Sequence, residues 1–146
     1  MALYEGQMKA ELFGYVLEID ENKTRETYQN LQSGGCVECG CAYCKNYQES
    51  IPDSFPTEIL DFFNKSGIDI YKDAEVYHYT DLHDGVLNYG GEYYLCGKVI
   101  THPKNEPKLN NNFTFVFTDP SPLIPDAFKN TGSICFSFSG DIKWVL

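Results

Sequence analysis

Two runs of strict alternation constrain this chain most. Phe113, Phe115 and Phe117 alternate with Thr114, Val116 and Thr118, and Ile134, Phe136 and Phe138 alternate with Cys135, Ser137 and Ser139. A strand turns successive side chains to opposite faces, so each run has one apolar and one largely polar face. Such strands belong in an antiparallel sheet with one face on a core. Short connections elsewhere favour the same antiparallel pairing.

The rest of the chain is read against that sheet. Glu11 to Ile19 alternates, with Phe13, Tyr15, Leu17 and Ile19 on one side, and reads as a strand. Asp20 to Lys23 reads as a polar turn, Thr24 to Leu31 is ambiguous, and Ser33-Gly34-Gly35 breaks the chain. A helix begins near Ala42, with Tyr43, Tyr47 and Ile51 at four-residue spacing, and Pro52 ends it or marks its last turn. A second helix begins near Pro56, which suits a first helical position. Ile59, Leu60, Phe62 and Phe63 form its apolar stripe, and Gly67 is its C-terminal cap. Strands resume from Asp73, over Ala74 to Thr80 and Glu92 to Thr101, with a bulge expected at Gly97. Turns are expected at His83-Asp84-Gly85, at Asn88-Tyr89-Gly90-Gly91 and at Gly140-Asp141, after which the apolar end through Trp144 docks on the core. The order is one strand, two helices and about five strands, which indicates an α+β fold. We expect a mainly antiparallel twisted sheet or partial barrel, with two short helices near the N-terminal third.

A chain of 146 residues fits one domain, read here as residues 1–146, and buries enough surface to fold without disulfides. Eleven Tyr and ten Phe argue against disorder. The net charge is −10, and the one arginine, Arg25, has no basic run around it. Nucleic acid and anionic membranes are bound by clustered Lys and Arg, so neither is an expected partner. The first residues form no export signal and no stretch has the length of a membrane span, so a reducing, cytoplasmic setting is expected. There, cysteines are thiols or metal ligands more often than disulfides.

Four of the six cysteines fall in Cys36-Val-Glu-Cys39-Gly-Cys41-Ala-Tyr-Cys44. Four thiolates suit Zn²⁺, which makes Cys36, Cys39, Cys41 and Cys44 candidate metal ligands and zinc the candidate cofactor. Paired C-x2-C half-sites usually lie far apart, whereas here only Gly40 separates them. A single ion held by all four would need a very tight loop. Cys41-Ala-Tyr-Cys44 at a helix start also resembles a glutaredoxin-like dithiol, with the helix N-terminus and Lys45 favouring the Cys41 thiolate. The apolar parallel strand that should precede such a dithiol is missing. Packing of reduced thiols at a loop–helix junction ranks first, metal second, redox chemistry third and a short-loop disulfide last. Cys96 and Cys135 read as structural cysteines in strands.

Cys39-Gly-Cys41-Ala-Tyr-Cys44-Lys-Asn46-Tyr47 resembles the CGC-x2-C-x-N-[YF] segment of an uncharacterised family of small bacterial proteins. Gly67-Ile68-Asp69, Glu75-Val76-Tyr77, Tyr89 to Tyr94 and the terminal Trp144-Val145-Leu146 are similar to that family as well. The resemblance implies a bacterial cytoplasmic protein. It places the motif on Cys39, Cys41 and Cys44, with Cys36 fitting less clearly.

His78 and His83, with Asp81 and Asp84, form a possible acid–base or metal cluster, for which a polar hairpin tip is the favoured reading. No nucleophile elbow, phosphate loop or dinucleotide fingerprint is present, and no catalytic residue is assigned. The resulting expectation is a non-enzymatic domain. It binds a protein or small molecule through an aromatic, tyrosine-rich sheet face, with the cysteine knot as a structural element. A thiol oxidoreductase or redox sensor using Cys41 and Cys44 is the alternative.

Overall fold

The computed structural model describes residues 7–79, 81 and 83–146. It is an α+β fold, as expected. Strands β1 (Gln7–Leu12) and β2 (Tyr15–Asp20) form a hairpin. Phe13 and Gly14 turn it with positive φ at both positions, 47° and 92°, as a two-residue hairpin turn requires. The single strand expected over Glu11 to Ile19 is therefore two. Tyr15, Leu17 and Ile19 are buried on one face, as the alternation implied, while Phe13 sits exposed at the turn.

Helix α1 (Glu21–Asn30) follows β2 without a linker. The Asp20 carboxylate accepts the Lys23 N–H at 3.0 Å, so the expected polar turn is in fact a cap and first helical turn. Next come α2 (Gly35–Cys39), α3 (Ala42–Ser54) and α4 (Thr57–Ser66). Pro52 lies in the last turn of α3, and Gly67 closes α4 in the left-handed region at φ 84°. Four α-helices thus stand among the described residues where two were expected. The helical period of α1 was masked by its polar sides, and α2 is barely longer than one turn.

The remaining strands are β3 (Glu75–His78), β4 (Val86–Thr101), β5 (Thr114–Thr118) and β6 (Ser133–Lys143). Their order is β1-β2-β4-β6-β5, with β3 also on β4, and every pairing is antiparallel. Two expected turns are absent. Asn88 to Gly91 lies inside β4, and Gly140-Asp141 lies inside β6. Those glycines make room rather than turn the chain. A Cβ at Gly90 would lie 2.7 Å from the Tyr79 ring, one at Gly91 2.6 Å from the Glu75 carbonyl, and one at Gly140 2.8 Å from the Phe113 ring. The turn expected at Asp84-Gly85 is present, with both φ values positive.

The sheet curls around the helices. Tyr15 of β2 meets Phe117 of β5 at 4.9 Å between ring centroids, and its hydroxyl accepts the Phe117 N–H at 3.4 Å. No described ladder joins those ends, so the sheet is an open partial barrel. Phe55 and Phe63 fill its concave side against Tyr93, Phe113, Phe136 and Phe138. The stretch of β4 between its pairings with β3 and β2 is covered by α1. Tyr28 hydroxyl accepts the Tyr94 N–H and donates to the Tyr94 carbonyl, and Thr24 Oγ1 accepts the Cys96 N–H. Two side chains of a helix thereby complete a strand edge.

The tyrosines expected to form a binding face are core residues instead. Tyr89, Tyr93 and Tyr94 are buried and turn their hydroxyls to the Tyr43 carbonyl, the Ile70 carbonyl and Ser121.

Candidate metal centre

The cysteine segment is an elbow between two helices. Asp73 anchors its start: the Asp73 carbonyl accepts the Gly35 N–H at 2.9 Å, and Oδ2 accepts the Cys36 N–H at 3.2 Å. Gly34 is required here by closeness, since a Cβ would lie 2.6 Å from the Asp73 nitrogen. Gly40 ends α2 in the left-handed region at φ 66°, and its N–H donates to the Cys36 carbonyl. The next residue, Cys41, already caps α3. A one-residue spacer is therefore enough, because the glycine reverses the chain. Cys39 in the last turn of α2 is brought onto Cys41 at the cap and Cys44 in the first turn of α3.

The sulfurs of Cys39, Cys41 and Cys44 lie within 4.8 Å of one another and form a cluster that can hold a metal ion. Cys39 and Cys41 are exposed and Cys44 is buried. Cys41 Sγ accepts the Cys44 N–H at 3.4 Å. That bond, helped by contacts from the Cys39 and Cys44 thiols and the Tyr43 N–H, holds the Cys41 thiol below the ordinary cysteine range. Burial pushes Cys44 up to about 12. Cys36 is buried, faces Cys44, and is raised first by burial and then by the nearby Asp73 carboxylate. Of the four expected ligands, three converge, and Cys36 stands behind them outside the cluster.

The motif asparagine has its own duty. Asn46 is fully buried; its Oδ1 accepts the Val145 N–H at 2.7 Å and its Nδ2 donates to the Lys143 carbonyl at 3.0 Å. One side-chain amide thus acts as a strand partner for the C-terminal segment. Tyr43 stacks on His78 at 4.1 Å and meets Trp144 edge-on at 5.9 Å. Sequence reading missed both contacts, because residues 78 and 144 lie far along the chain from residue 43 and share no pattern with it.

Among the described residues the histidines join no group of converging metal ligands. His83 pairs with Asp84 at 3.1 Å with both side chains more than 80% exposed, a polar hairpin tip. His78 is taken up by the Tyr43 stack, and His102 lies edge-on to Tyr15. Among the described residues, the cysteine trio is the one group of three or more His, Cys, Asp or Glu whose ligand atoms converge. Cys96 and Cys135 are buried in strands, and burial pushes Cys135 up to about 12. No described helix is long and apolar enough to cross a membrane. No family model, curated protein or solved structure matches the chain.

Proposed function

We propose that this chain is a metal-binding domain in which Cys39, Cys41 and Cys44 hold a soft divalent ion, zinc, as thiolates. The observation that carries this reading is the convergence of their three sulfurs on one elbow. Thiolate ligands select zinc over the hard cations, which prefer oxygen. Zn–S bonds of ~2.3 Å in a tetrahedron put sulfurs roughly 3.8 Å apart, within side-chain adjustment of the observed cluster. The ion cross-links α2 to α3 and so steadies the helix whose Asn46 holds the C-terminal segment. In this reading the ion steadies the elbow, and no catalytic residue is assigned.

Elemental analysis of reduced protein, purified without chelator, tests it. One zinc per chain is expected, falling in Cys39→Ser and Cys41→Ser. These substitutions are at exposed positions, so the fold should survive them. No metal together with freely reactive Cys39 and Cys41 would rule the centre out.

One observation favours a second reading. Cys41 caps a helix and accepts a backbone N–H while Cys44 lies one turn on, the geometry of an active dithiol. A thiol oxidoreductase would exchange disulfides through Cys41. Exchange no faster than that of free cysteine would dismiss it.

A further inference from the structure

Resting on the metal reading above, we infer that the centre is a three-thiolate site with an exchangeable fourth position, and that this position takes a small-molecule thiol. The first argument concerns Cys36, the only other cysteine in the segment. Its backbone is pinned at both ends of α2: its N–H is bonded to Asp73 Oδ2, and its carbonyl accepts the Gly40 N–H. Its side chain is 2% exposed and turned to the buried flank of Cys44. Joining the exposed side of the trio would take that sulfur out of its buried place, and the backbone that carries it is fixed by Asp73 and by Gly34, which packs against the Asp73 and Lys72 backbone.

The second argument concerns the opposite side. Cys39 and Cys41 are exposed, and a Cβ built on Gly40, between them, meets nothing within 4 Å. The outer side of an ion at the cluster is therefore open. Zinc with three protein ligands keeps a fourth place for water or substrate.

The third argument is chemical. Three thiolates and Zn²⁺ sum to one negative charge, on a chain of net charge −10. A hard polyanion is disfavoured there by charge. Three electron-rich sulfurs also make the ion soft, which favours sulfur over oxygen at the fourth place. An incoming thiol displaces the bound water, forms one Zn–S bond and gives its proton to solvent. Val37 and Tyr43, 54% and 41% exposed and each within two residues of a ligand, offer apolar surface for the organic part of such a thiol.

The test uses full-length protein reduced with a phosphine, loaded with Co²⁺ in place of zinc, and titrated with 2-mercaptoethanol. Sulfur-to-cobalt charge-transfer absorption rises with each thiolate bound. The parent is expected to show a three-thiolate spectrum that grows by about a third on saturation, and Cys36→Ala to behave the same way. A four-thiolate spectrum before thiol is added, reduced by Cys36→Ala, would make Cys36 the fourth ligand and overturn the inference while keeping the metal reading. A three-thiolate spectrum that ignores the thiol also overturns the inference. Failure to bind cobalt at all removes the metal reading itself.

Discussion

Asp73 is 3% exposed, and its Oδ1 has no hydrogen-bond partner among the described residues, while Oδ2 holds the start of α2. Burial pushes its carboxyl up to about 6, from 3.8. The folded chain therefore holds the Asp73 proton more tightly than the unfolded chain does. The contribution of this group to stability is full below the unfolded value and falls as pH rises through about 6. Asp73→Asn keeps an acceptor for the Cys36 N–H and removes the buried charge. Denaturation across pH is expected to show the variant more stable than the parent at pH 7, by up to about 3 kcal/mol, with the difference shrinking toward pH 4. A variant weaker than the parent at pH 7 would mean that the charged form is what holds α2. Asp73 looked like an ordinary strand-leading aspartate in the sequence. Only its contact with Gly34 and Gly35, nearly forty positions earlier, gives it a role.

At the scale of elements, α3 organises the region. Cys41 caps it, its first turn carries Cys44, and its second carries Asn46, which serves as the partner of the segment after β6. Asn46→Ala leaves the Val145 N–H and the Lys143 carbonyl without that partner. Urea unfolding should show a loss of about 2–3 kcal/mol, with a shift in Trp144 emission as the terminal segment loosens. An unchanged midpoint and spectrum would show that β6 docks without the clamp. The helix itself was legible from Tyr43, Tyr47 and Ile51, of which Tyr47 and Ile51 are fully buried. α1 was not, because only Thr24, Thr27 and Tyr28 of its residues are buried. Its role depends on hydroxyls rather than on an apolar stripe. Gly90, Gly91 and Gly140 were misread as turns because glycine marks close approach as readily as reversal, and only the opposing rings distinguish the two.

At the scale of the molecule, the alternating phenylalanines predicted the sheet correctly. Phe115, Phe117, Phe136 and Phe138 are all buried on the side that takes Phe55 and Phe63. The tyrosine-rich face expected as a binding surface was the same pattern seen from the inside, since periodicity does not say which face of a sheet is covered. The spacing of the cysteines could not show which of the four converge, because that depends on Gly40 reversing the chain and on Asp73 holding Cys36 back. The central claim is therefore one of coordination: three sulfurs around one ion. X-ray absorption at the zinc edge, on reduced zinc-loaded protein free of added thiol, reads this directly. The account predicts three sulfur scatterers at ~2.3 Å and one light atom. Four sulfurs, or a shell of light atoms alone, would contradict it.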